Sequence, residues 1–136
     1  MREKLDDVSR REGILERLKH SLQALSLEAA EQVRLFPDFV HKNDALVLDF
    51  DHWRLCAVGN YGKEMTPAQL ESLQAIDAHI GTATPSDTAV WDEDGLYTNP
   101  YWRELRVLAT ACLGSFGWPR EIPPSYAHEY VRGVPD

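Results

Sequence analysis

The pattern that most limits what this chain can become is a helix-start signal, written twice with proline in the first helical position: Met65-Thr66-Pro67-Ala68-Gln69-Leu70 and Asn99-Pro100. In the first, the Thr66 hydroxyl is placed to cap, Pro67 brings a fixed φ where no amide bond is needed, Gln69 closes a capping box, and Met65 can staple onto Leu70. Leu70, Leu73, Ile76 and Ile80 then recur at helical spacing. They predict a helix starting at residue 67 with those four turned inward and Gly81 as a left-handed terminator. After Pro100, Tyr101, Leu105, Leu108 and Cys112 share one face, with Trp102, Ala109, Leu113 and Phe116 beside them. So broad an apolar face puts this helix at the centre of the core, and Gly117 and Pro119 stop it.

Upstream, Ser9-Arg10-Arg11-Glu12 has capping-box spacing, and Leu15, Leu18, Leu22 and Leu25 follow along one stripe, which predicts a helix over about residues 10–24. Ser26 is then placed to cap a short helix carrying Ala29, Ala30 and Val33, ended by Pro37. Residues 82–95 read as loop, and residues 119–136, with Pro123, Pro124 and Pro135, as a packed extended tail with at most one helical turn near 126–131. At 136 residues the chain is expected to form a single domain, and a hydrophobic fraction of 43% is enough to give it a core of its own. The predicted fold is all-α, an irregular bundle of four to six helices.

Residues 44–58 admit two readings with different chemistry. As a helix, Asn43 or Asp44 caps, Leu46, Phe50, Trp53 and Ala57 fall on one face, and Gly59 ends it. Asp49 and Asp51 then point about 200° apart and cannot share a metal ion. As a strand, residues 45–48 deliver Asp49 and Asp51 at their carboxyl end, and the domain becomes α+β with a small sheet from residues 45–58. An apolar strand ending in Asp-x-Asp resembles the nucleophile motif of the haloacid dehalogenase phosphatases. That resemblance implies a magnesium-dependent phosphatase with Asp49 as nucleophile and Asp51 as general acid. His52 and Trp53 depart from that family's continuation, and Lys63 precedes rather than follows Thr82 and Thr84. The helical reading has more matches to its template and is the one adopted.

Charge is segregated along the chain. The formal net charge is −8, and residues 36–101 hold all of it: eleven carboxylates against Lys42, Arg54 and Lys63. Such a field attracts basic surfaces and repels phosphate backbones and anionic lipid, so neither nucleic acid nor membrane is an expected partner. No apolar run approaches the roughly 20 residues that span a bilayer. Cys56 and Cys112 form no paired motif and no charged-then-apolar leader opens the sequence, so the expected setting is the cytoplasm with both thiols reduced.

No cofactor motif is found. The five histidines never occur at the spacing that sets two imidazoles on one helix face, and His128-Glu129 meets Arg132 where a zincin needs its second histidine. Asp92-Glu93-Asp94-Gly95, aligned as a calcium loop, puts Val90 and Tyr101 at ligand positions. The aromatic crowd of Trp91, Tyr97, Tyr101, Trp102, Phe116, Trp118, Tyr126 and Tyr130 reads as core and tail packing. The leucine stripe over residues 15–25 covers under two heptads, which leaves monomer and homodimer both open.

The Asp-rich stretch Asp49 to Trp53, the helix start Met65 to Leu70, and Trp91 with Pro100 and Trp102 together resemble small acidic bacterial helical proteins of no established activity. The expected function is non-catalytic binding: an acidic surface of Asp44, Asp49, Asp51, Asp92, Glu93 and Asp94 offered to a basic protein, as immunity proteins and antitoxins do.

Overall fold

A computed structural model describes the backbone of residues 2–124 and the side chains of residues 8–124. Seven α-helices and one 3-10 turn make up its regular structure, with no strand among the described residues: α1 (Arg2–Ser26), α2 (Ala29–Arg34), α3 (Lys42–Tyr61), the 3-10 turn Gly62–Glu64, α4 (Pro67–Ile80), α5 (Thr88–Trp91), α6 (Glu93–Thr98) and α7 (Pro100–Phe116). The all-α expectation holds, and the sheet considered for residues 45–58 is corrected to the middle of α3.

Four long helices alternate in direction. Arg11 of α1 meets Tyr61 and Glu64, while Arg17 meets Trp53, so α1 and α3 are antiparallel. Arg54 of α3 pairs with Asp77 of α4, joined through the short connection 62–66. Gln69 donates to the Ser115 carbonyl and the His79 ring bonds the Tyr101 carbonyl, which sets α4 against α7 head to tail. Arg106 of α7 reaches back to the Leu27 carbonyl just past α1. The bundle therefore buries one face of each long helix, with Leu18, Leu22, Leu25, Leu46, Phe50, Leu73, Ile76, Trp102, Leu105 and Leu113 at its centre. The three short helices α2, α5 and α6 all lie at the end where α1 and α4 finish and α3 and α7 begin.

Local punctuation explains the boundaries. The Thr66–Gln69 capping box forms with both bonds, and Asn99 accepts the Tyr101 amide at the start of α7. Gly117 closes α7 at φ 71°, a conformation a side chain would strain. Other expectations shift. Helix α1 begins at Arg2, so Ser9 is interior rather than a cap. Ser26 turns its hydroxyl back to the Gln23 carbonyl (2.7 Å), and α2 starts instead from Glu28. Gly81 stays right-handed at φ −67°, because its amide still bonds the Asp77 carbonyl. Gly59 does not end α3, which runs on to Tyr61 and starts from His41 rather than Asn43 or Asp44. Residues 82–95 are not all loop, since α5 and α6 occupy much of that stretch. Beyond α7, Pro123 is buried, Gln23 donates to the Pro119 carbonyl and Arg120 donates to the Ser26 carbonyl, which lays residues 119–124 across the end of α1. The turn expected near 126–131, with Tyr126, His128, Tyr130 and Pro135, lies outside the described residues.

Candidate functional site

The sequence-predicted carboxylates divide into a corner and a stripe. At the corner, α3 begins beneath the α5–α6 turn. His41, its cap residue, bonds the Asp44 carboxylate through Nδ1 (2.7 Å) and the Trp91 carbonyl through Nε2 (2.9 Å). Asn43, fully buried, donates through Nδ2 to the Val90 carbonyl (3.0 Å) and the Asp92 carbonyl (2.9 Å). Lys42 is drawn in beside it and pairs with Glu93 at 3.2 Å. Asp44, Asp92, Glu93 and Asp94 are thereby gathered around one helix end, although 48 residues separate Asp44 from Asp92 in the chain. The Trp91 carbonyl chiefly, then Asp44 and Asp92, raise the His41 pKa above the ordinary value.

Along α3, Asp51 follows Asp44 on the same outward stripe, seven residues on, and pairs with Arg54 at 2.8 Å. Arg54 also reaches Asp77 of α4 at 3.3 Å. Asp49 lies off this stripe: five residues beyond Asp44, it is turned by about 140°. Asp49 and Asp51 therefore stand on separate faces of a helix. The strand-end pair that a phosphatase nucleophile and general acid require is not formed, which corrects that reading on geometry. Among the described residues no group of three or more His, Cys, Asp or Glu side chains is placed to hold a metal ion.

Sequence reasoning found the acids and missed what surrounds them. Of the three cations in the acidic middle, Lys42 is only 5% and Arg54 18% exposed in their side chains, and both are already paired. Both cations lie deeper than Glu93, Asp51 and Asp77, which stay 44–54% exposed, so the outermost charges there are negative. Burial of Lys42 and Asn43 depends on the α5–α6 corner folding over them, a long-range contact with no local signal. Two exposed leucines, Leu48 and Leu55, share the stripe with Asp44 and Asp51. Their spacing was legible, but no pattern distinguishes an outward leucine from an inward one until the helix is docked.

Two further chemistry-bearing groups, Cys112 and Tyr101, are bonded within the core. The Cys112 thiol is buried and its pKa is pushed up to about 11 by that burial, so it stays protonated and accepts a bond from Ser72. Tyr101 is likewise pushed up to about 12 by burial, with its hydroxyl donating to the Ile80 carbonyl. Of the aromatic crowd, Trp91, Tyr101 and Trp102 meet edge to face with centroids 5.3–6.0 Å apart and Phe116 stacks on Trp118 at the other end, whereas Tyr97 is exposed rather than packed. A cleft of about 130 Å³ there is lined by Arg11, Leu15, Tyr61, Glu64 and Phe116 among others, and none of the corner residues Asp44, Asp92, Glu93 or Asp94 lines it. No helix among the described residues is long and apolar enough to cross a membrane. Comparison with protein-family models, curated proteins and solved structures finds no match to this chain.

Proposed function

We propose that this protein is a non-catalytic binding protein that works in the cytoplasm and offers its acidic corner and the outward stripe of α3 to a basic protein partner. The observation that carries the reading is the fate of two of the three cations in the acidic middle. Lys42 and Arg54 are withdrawn into the bundle and committed to Glu93, Asp51 and Asp77, so that their charges hold the fold while the carboxylates keep the surface. A surface of one sign steers an oppositely charged partner and makes association sensitive to salt.

The test is capture by the full chain from its native lysate at low salt, beside a double variant, Asp44→Lys with Asp94→Lys. Both side chains are exposed, so the substitutions reverse charge without touching the core, and because Asp44 also bonds His41 the variant's circular dichroism spectrum and melting midpoint are compared with the wild type's before capture is read. A basic protein held by the wild type, released by high salt and not held by the variant is the expected result. A partner whose affinity is the same at low and high salt, or on both proteins, defeats the reading.

A further inference from the structure

We infer that the outward stripe of α3 is a seat for a single basic amphipathic helix, with Leu48 and Leu55 as its apolar anchors and the carboxylates beside them as its charge guide. The inference rests on the acidic-surface reading and names the form its partner takes.

Leu48 is 68% and Leu55 57% exposed, the only large apolar side chains of α3 left in solvent. They sit seven residues apart, so they point within about 20° of each other and about 10 Å apart along the axis. That is the spacing of successive anchors on a helix lying in a groove or along a partner helix. Single exposed leucines are ordinary, but two in register on one stripe form a seam. Asp44 and Asp51 flank that seam on the side facing α4, and Asp77 of α4 extends the same edge across Arg54. Asp44 spends one carboxylate oxygen on His41 and Asp51 one on Arg54, and their side chains remain 50% and 44% exposed. Each thus keeps a second oxygen for an incoming lysine or arginine.

Charge selects among occupants. A second copy of this chain, laid α3 against α3, would bring the Asp44 and Asp51 of one copy against those of the other, where like charges repel. A partner helix with an apolar seam and lysines or arginines along one edge fits both the leucines and the carboxylates. An acidic or neutral helix fits only the leucines.

The experiment uses the full chain, isotopically labelled for amide NMR, and three synthetic helical peptides. The first repeats leucine every third and fourth residue with lysines beside it. The second replaces those lysines with glutamates, and the third replaces the leucines with serines. The first peptide is expected to move the amide resonances of residues 44–55 and to bind more weakly as salt is raised, while the other two leave those resonances in place. Leu48→Ala and Leu55→Ala should each weaken the first peptide about tenfold with an unchanged circular dichroism spectrum, since neither side chain is in the core. Shifts confined to Asp92, Glu93 and Asp94 overturn the α3 seat and leave the acidic-surface reading standing. Equal binding of the lysine and glutamate peptides, or none at low salt, overturns both. A concentration-dependent dimer abolished by Leu48→Asp shows a second copy in the seat and overturns the inference.

Discussion

His41 carries two hydrogen bonds to oxygens that only accept, the Asp44 carboxylate and the Trp91 carbonyl. A neutral imidazole has one N–H, so both bonds exist together only in the imidazolium form. The charged ring is thus a clamp between the start of α3 and the end of α5, and Asp44 and Asp92 face it with negative charge while Lys42 next to it is spent on Glu93. Because the folded-state pKa is raised above the ordinary 6.5, the clamp contributes its full stability below that ordinary value and loses it as pH rises through the raised one. His20 on α1 runs the other way. Burial, the largest cause, lowers its pKa, so its contribution is present above 6.5 and is lost as pH falls through the lowered value. The two must be separated by residue. The His41 ring is expected to titrate above 6.5 by NMR and to move down in Asp44→Asn. Denaturation of wild type and His41→Gln should differ most below pH 6.5 and converge as pH rises through the raised value. A His41 midpoint at or below 6.5 removes the clamp.

At the scale of elements, the same substitution has opposite signs in α3 and α6. Gly59 lies inside α3 with open space where a Cβ would go, so Gly59→Ala relieves only the flexibility of the unfolded chain and should stabilise by about 0.5–1 kcal/mol. Gly95 lies where α6 folds back onto α5. A Cβ there would run into the Ala89 carbonyl oxygen and stand 2.9 Å from that of Val90, and backbone cannot step aside as a side chain can. Gly95→Ala should cost about 1–3 kcal/mol and loosen the corner over Asn43. Denaturant midpoints moving in opposite directions check the pair. These two helices also mark how far the sequence could be read. The face of α3 was legible because Leu46, Phe50 and Ala57 repeat over many turns, and all three are buried. The starts of α4 and α7 were legible because Thr66-Pro67 and Asn99-Pro100 act within a few residues. Helices α5 and α6, of four and six residues, are too short for any period to show, and their existence depends on Asn43 and Trp102 bonding the Val90 carbonyl from afar. The candidate site inherits that split: Asp44 and Asp51 could be placed on their helix from sequence, whereas Asp92, Glu93 and Asp94 come to them only through this corner.

Across the whole molecule, Asn43 and Trp102 hold α5 of the end cap from the four-helix body, and one further side chain ties α2 and α6 to it together. Arg106, on α7, donates through Nε to the Leu27 carbonyl (2.8 Å) and through Nη2 to Gln32 Oε1 (3.0 Å) and the Leu96 carbonyl. It thereby holds the end of α1, α2 and α6 at once, and Gln32, fully buried, passes the connection on to the Ala24 and Leu25 carbonyls. Burial disfavours the Arg106 charge and lowers its pKa. The guanidinium is held there by its fork of donors, which neither lysine nor an apolar side chain reproduces. Arg106→Met keeps an apolar stem but ends short of the guanidinium and leaves three acceptors without their donor, at about 1–3 kcal/mol for each one that water cannot reach. The loss should be local first. Hydrogen exchange in Arg106→Met is expected to quicken at α2 and α6 while Leu18, Leu22 and Leu105 at the bundle centre stay protected. Leu105→Ala, a cavity in the body, should quicken all helices together. Because the acidic corner hangs on α5 and α6, the Arg106 variant should also weaken capture of a basic partner more than its global stability accounts for. Uniform loss of protection in both variants would mean that cap and body melt as one, and that the corner has no separate hold on binding.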